Sequence, residues 1–163
     1  MYSLQHAAFA AEIDKSTLSR WLDTGIIKMR GPDVDSGSSG IPRQFSRQRI
    51  VQIAIAKALA NIGVSPGRGA AAALKFTEEE NCEIPDTGCA WLVMDDAGPR
   101  LARVDHEPKL AEVLLSPGGW APIAAVAIDL SRIVRRVDAR LQQKQSNNSS
   151  YGNPIIQRGY ETK

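Results

Sequence analysis

Lys15, Ser16, Thr17, Ser19 and Arg20 crowd into one short segment, KSTLSRW. Small hydroxyls beside cations suit one chemistry: hydrogen bonding to anionic oxygens and to the edges of planar bases. A guanidinium grips a phosphate or a guanine edge with two parallel N–H bonds. Lys28, Arg30, Arg43, Arg47 and Arg49 continue the cationic theme on both sides of the turn-rich stretch GPDVDSGSSGIP. Each has a plainer use. Arg43 can pair with Asp33 or Asp35 across the loop, Arg47 and Arg49 can be exposed helix charges, and Arg20 can be solvated. Ser16, Thr17 and Ser19 can form an ordinary polar first turn.

The distribution of charge favours the first use. The net charge is only +2, but residues 1–76 carry ten Lys/Arg against five Asp/Glu, and residues 77–128 carry three against ten. Residues 129–163 are basic again, seven against three. A basic N-terminal portion is the electrostatic footprint of a polyanion-binding module.

These side chains need a scaffold. Leu4, Ala7, Ala8 and Ala11 have helical spacing, so a short helix is expected over 3–11. Asp14 is placed to cap a second helix whose apolar face is Leu18, Trp21 and Leu22, and Gly25 is placed to end it. IIKM then packs beneath the pair or starts a strand. Ser46 should cap a third helix with a stripe of Ile50, Ile53, Ala54, Leu59 and Ile62. Ser65 and Pro66 open a fourth. Residues 77–88 read as an acidic linker. CAWLVMDD and RLARVDH read as a hairpin, EPKLAEVLL (107–115) as a helix, SPGGW as a turn and APIAAVAIDL as a buried strand. Residues 131–143 form an amphipathic helix with Ile133, Val134, Val137 and Leu141 on one side. Residues 144–163 are polar and read as a flexible tail.

The order of the N-terminal elements, with YSLQHAAFAAEID, KSTLSRWLDTGII, GIPRQFS and IVQIAIAKALANIGVSP, resembles the winged helix-turn-helix of MerR-type regulators and, more loosely, the excisionases. The resemblance spans residues 2–76. It implies that the second helix enters the DNA major groove, with Ser16, Thr17, Ser19 and Arg20 facing bases and phosphates and Lys15 beside them. It also implies that the wing carries Lys28, Arg30 and Arg43, and that Arg47 and Arg49 hold backbone. The sequence departs from the family in three ways. Ser19-Arg20-Trp21 keeps only the second of two aromatics, the wing is longer, and the long dimerising helix after the head is absent. Metal sensing and promoter untwisting are therefore not implied.

The remainder excludes more than it assigns. Two cysteines are too few for a disulfide framework. Cys82, Cys89 and His106 match no common zinc spacing, and His6 reads as structural or exposed. GVSPGRG lacks the Lys-Ser/Thr ending of a phosphate loop, and Asp95, Asp96 and Asp105 read as strand-end polar residues. No catalysis, cofactor or metal is expected. MYSLQHAAFAAEIDK lacks the basic and apolar runs of a signal peptide, and no segment is apolar for long enough to span a membrane.

The expected fold class is α+β. A winged helix-turn-helix at 1–76 and a linker at 77–88 precede a small α+β dimerisation or effector module at 89–143, with the tail at 144–163. The expected function is that of a cytoplasmic regulator binding double-stranded DNA as a homodimer, with room for a protein partner on the C-terminal module; Ile133, Val134, Val137 and Leu141 are the candidate dimer stripe, although packing on the chain's own sheet is the stronger reading of that face. Alternatives are an architectural DNA factor of a phage or mobile element, and a protein-interaction module that binds no DNA.

Overall fold

The computed structural model describes residues 1–35, 40–79, 81–85, 89–95, 98–104 and 126–149. The expected helix at 107–115, the SPGGW turn, His106, Asp96, Asp105 and the chain beyond 149 lie outside them. The architecture is mixed α+β. In chain order the elements are β1 (Tyr2–Ser3), α1 (Leu4–Ala10), α2 (Lys15–Asp23), β2 (Gln44–Phe45), α3 (Arg47–Asn61) and α4 (Pro66–Leu74). A π-helical turn at Lys75–Glu79 follows, then β3 (Cys89–Asp95), β4 (Gly98–Val104), β5 (Val126–Asp129) and α5 (Leu130–Ser149). β1 and β2 pair antiparallel, and the second sheet runs β4-β3-β5, antiparallel throughout.

Local sequence explains most of the boundaries. Ser3 Oγ accepts from the His6 N–H, and Ser46 Oγ accepts from the Arg49 N–H. These bonds satisfy donors that a helix start leaves orphaned. Asp14 occupies the cap position of α2, but its carboxylate makes no capping bond among the described residues. Gly25 takes φ +72°, a left-handed value that favours glycine, and lets the Ile27 N–H reach the Trp21 carbonyl at 3.1 Å. IIKM thus folds back with Ile27 buried and forms no strand.

α3 departs from the expected single stripe. Arg49, Ile50, Val51, Gln52, Ile53, Ala54, Ile55 and Ala56 are all buried, so the helix is enclosed on every side. A helix apolar all round belongs at the centre of a fold. Ile62, expected on the stripe, is 52% exposed at the helix end. α4 lies close on α3 because Gly69 has no side chain: a Cβ there would stand 3.3 Å from the Ala56 carbonyl oxygen and from Leu59 Cβ. The expected linker also begins inside the core. Phe76 and Thr77 in the π-helical turn are buried, as is Cys82, and Thr77 Oγ1 donates to the Ala73 carbonyl.

α5 is longer than expected and packs within the chain. It runs to Ser149, beyond the expected end at 143 and into the expected tail. Val134, Val137 and Leu141 are buried in the same hydrophobic cluster as Ala7, Leu18 and Ile53, and Ile133 packs against it. α5 touches α1, α3 and β3. The stripe Ile133, Val134, Val137 and Leu141 is therefore used within the chain and is not a dimer surface. Leu92 and Met94 of β3 join that cluster as well, so 77–88 does not separate two cores. Polar contacts fix the docking. Arg47 forks onto both oxygens of Asp138 at 2.6 and 2.7 Å. Arg140 meets Glu12 at 2.6 Å and donates to the Phe9 carbonyl at 2.9 Å. At the other end, buried Ser131 accepts the Ala90 N–H at 2.8 Å.

A shared core makes a specific demand. Val137→Ala removes buried methyl groups and should cost about 1–3 kcal/mol. Native-state hydrogen exchange should then show protection falling together in α3 and in β3. Loss confined to the β4-β3-β5 sheet would mean two independent units.

Candidate nucleic-acid interface

α2 turns its apolar side inward. Leu18 and Trp21 are buried, which leaves Lys15, Ser16 and Arg20 exposed and Thr17 and Ser19 half-buried. Lys15, Arg20 and Lys28 enter no ion pair with another described residue. The hydroxyl-and-cation segment thus lies along one open helix face, continued past the α2 exit by Lys28.

The loop after α2 closes as a narrow hairpin. Val34 and Gln44 exchange backbone bonds at 2.9 Å in both directions. Its expected DNA contact Arg43 is occupied: Nε donates to Asp35 at 3.0 Å and a terminal nitrogen donates to Asp23 at 2.9 Å. The Asp23 hydrogen bond leads the causes that raise the Arg43 pKa. Asp23 ends α2 and Asp35 lies in the hairpin, so Arg43 struts one against the other. Two exposed carboxylates already partner it, so a phosphate would have to displace them.

The expected backbone contacts Arg47 and Arg49 are likewise engaged by carboxylates. Arg47 is held by Asp138, and that hydrogen bond leads the causes that raise its pKa. Arg49 is buried. Its Nε donates to Asp33 Oδ2 at 2.8 Å, and the two side chains are 7% and 0% exposed. Asp33 also accepts the Ser46 N–H at 2.8 Å and the Arg30 N–H at 3.1 Å. The other end of Arg49 donates to Gln52 Oε1, and Gln52 Nε2 donates to the Ala70 carbonyl at 3.1 Å. Burial pushes the Asp33 pKa up, but the hydrogen bonds from Ser46 and Arg49 outweigh it, and the carboxyl titrates below its usual range. The network joins hairpin, α3 and α4. Its one sequence signal was Gln52, a lone amide in the apolar run IVQIAIA.

Arg30 is only loosely held, 3.4 Å from Glu78 with both side chains half-exposed. Such a pair contributes little and exchanges readily. With Lys28 and Arg49 it lines a notch of about 150 Å³ whose far wall is Gly67 and Ala70 of α4. Arg68, exposed in the first turn of α4, was not among the expected contacts.

Burial raises the Cys82 thiol to about 11, so it stays protonated at neutral pH and is a poor nucleophile or metal ligand. Among the described residues no three His, Cys, Asp or Glu side chains gather as a metal site. No described helix is long and apolar enough to cross a membrane. Compared with models of known protein families and with curated proteins, the chain matches none.

Two outcomes follow. Asp33→Asn leaves Arg49 buried without its counter-charge and should cost about 3–5 kcal/mol, whereas Asp33→Asn with Arg49→Met should recover part of that loss in denaturant titrations. The folded pKa of Asp33 lies below the unfolded one, so its contribution is present above about pH 3.9 and is lost as pH falls through the folded value. The wild type should therefore lose stability more steeply than the variant in that acid range. Arg43→Ala breaks two half-exposed pairs, costs about 1 kcal/mol or less, and should speed hydrogen exchange at Val34 and Gln44 while α3 stays protected.

Proposed function

We propose that the chain is a DNA-binding transcriptional regulator acting in the cytoplasm, with a head like that of MerR-type proteins. One observation carries the reading. Arg43, Arg47 and Arg49 are spent on carboxylates within the fold, while Lys15, Ser16, Arg20 and Lys28 remain exposed and Arg30 is loosely held. A face left polar, cationic and unpaired beside an apolar underside is the arrangement a groove-reading helix requires.

In this reading the first turns of α2 enter the major groove. Arg20 reads a guanine edge, and Ser16, Thr17 and Ser19 bond phosphate or base edges. Lys15 and Lys28 meet phosphates on either side, and Arg30 exchanges Glu78 for a phosphate at the notch. Arg43 acts indirectly, holding the hairpin at a fixed angle to α2. A second copy, where two half-sites are read, meets the first through a face other than the buried stripe of α5.

The test is fluorescence anisotropy of the full chain on duplexes across salt concentrations. About three phosphate contacts predict a slope of log affinity on log salt near −3. Lys28→Ala should weaken all duplexes alike and reduce that slope by about 1. Once a preferred site is selected, Arg20→Ala should cost about 1–3 kcal/mol there and relax choice at one base pair. Equal loss on every sequence would remove Arg20 from base reading. No binding at low salt would reject the whole reading in favour of a protein-interaction module.

A further inference from the structure

Away from the α2 face, a recess of about 130 Å³ opens where α1, α3 and α5 meet. Its apolar lining is Ala10, Ala11, Ala54, Ala58, Ile133 and Val137. Alanines at a three-helix junction leave space that longer aliphatic side chains would fill. A space near this size admits a molecule of about six or seven non-hydrogen atoms.

The rim is polar and cationic, formed by Glu12, Lys57, Asn61 and Arg136. Lys57 enters no ion pair with a described residue. Glu12 stands at φ +54°, a left-handed conformation unusual outside glycine. Its carboxylate has its close partner in Arg140 at 2.6 Å, and Arg136 reaches it only at 3.3 Å. Arg136 donates one Nη1 bond to Glu12 at 3.3 Å, and its side chain is 49% exposed. Glu12 is shared between Arg136 and Arg140 and Lys57 adds a further charge, so the edge of this apolar recess carries a net positive charge, which fits an anion with a short aliphatic tail.

We propose that this recess binds a short-chain aliphatic carboxylate of about pentanoate size. Its carboxylate bridges Lys57 and Arg136, and its chain lies along the apolar lining. All three helices build the site, so the ligand binds only while α5 is docked and stabilises that state by mass action.

The experiment titrates the full, isotope-labelled chain with sodium pentanoate and follows backbone amide shifts, with pentan-1-ol and pentylamine as comparators. Saturable shifts at Ala11, Ala58 and Val137, with a Kd on the order of 1 mM, are expected for so small a ligand. The alcohol and the amine should bind at least about tenfold more weakly, since they lack the charge that Lys57 and Arg136 complement. Lys57→Gln should weaken pentanoate about fivefold and leave the spectrum otherwise native, and Ala58→Leu should fill the recess and abolish the shifts. Absence of saturable shifts up to about 20 mM pentanoate would overturn the proposal. So would equal binding of the alcohol, or undiminished binding by Lys57→Gln. If Ala58→Leu fails to fold, the comparators and Lys57→Gln still decide.

Discussion

A carboxylate and a guanidinium taken almost wholly out of water tolerate little freedom in their surroundings. Asp33 and Arg49 are such a pair, and every other group that touches them is placed as a consequence. Two charges in a low-dielectric interior repay their lost hydration only when the geometry is good and the remaining donors and acceptors are satisfied. Ser46 and Arg30 supply backbone N–H groups to Asp33, and Gln52 accepts from Arg49. Thus the loop leaving α2 must approach the N-terminus of α3 at one angle. The same requirement seats α4, because Gln52 satisfies its amide on the Ala70 carbonyl. The hairpin, which closes at Val34 and Gln44, starts from this fixed point.

The disposition of the cations follows from the same logic. A basic segment is usually read as a continuous surface for a polyanion, but here the arginines divide by depth. Those on α3 and at the hairpin base have carboxylate partners within 3 Å and act as fasteners. Those on α2 and just after it are exposed or loosely paired. A buried or doubly paired guanidinium would lose its partner to reach a phosphate, whereas an exposed lysine loses only water. The cations of this portion that keep water as their main partner thus include Lys15, Arg20 and Lys28.

Much of this was legible from the sequence where a local rule decides it. The cap at Ser46, the glycine at 25, the proline at 66 and the hairpin of β3 and β4 each depend on residues a few positions apart. Arg43 with Asp35 was legible across the loop, but the distant partners were not, because they depend on chain reversal. Arg47 and Asp138 lie 91 residues apart, and Arg43 and Asp23 lie 20 apart. The enclosure of α3 was hidden for a related reason. Its alanines are small enough to accept neighbours on sides where a stripe analysis expects solvent, so periodicity under-reports burial. The stripe on α5 was read correctly as apolar, yet periodicity is blind to whether the covering surface is the same chain or a second copy.

That last ambiguity is resolved by composition on the receiving side. Where α1 and α3 meet α5 the lining is mostly alanine: Ala10, Ala11, Ala54 and Ala58. Side chains this short leave the ends of long ones free to reach across the junction. Arg140 therefore reaches Glu12 and the Phe9 carbonyl, and Asp138 reaches Arg47 with both oxygens. Arg47 opens α3, and Arg49 one half-turn later holds Asp33. A displacement of α5 would be felt first at Arg47 and then, through that shared helical turn, at the pair that fixes the loop after α2. The C-terminal helix is thus part of the framework that orients the exposed face of α2, and its position bears directly on how that face is presented.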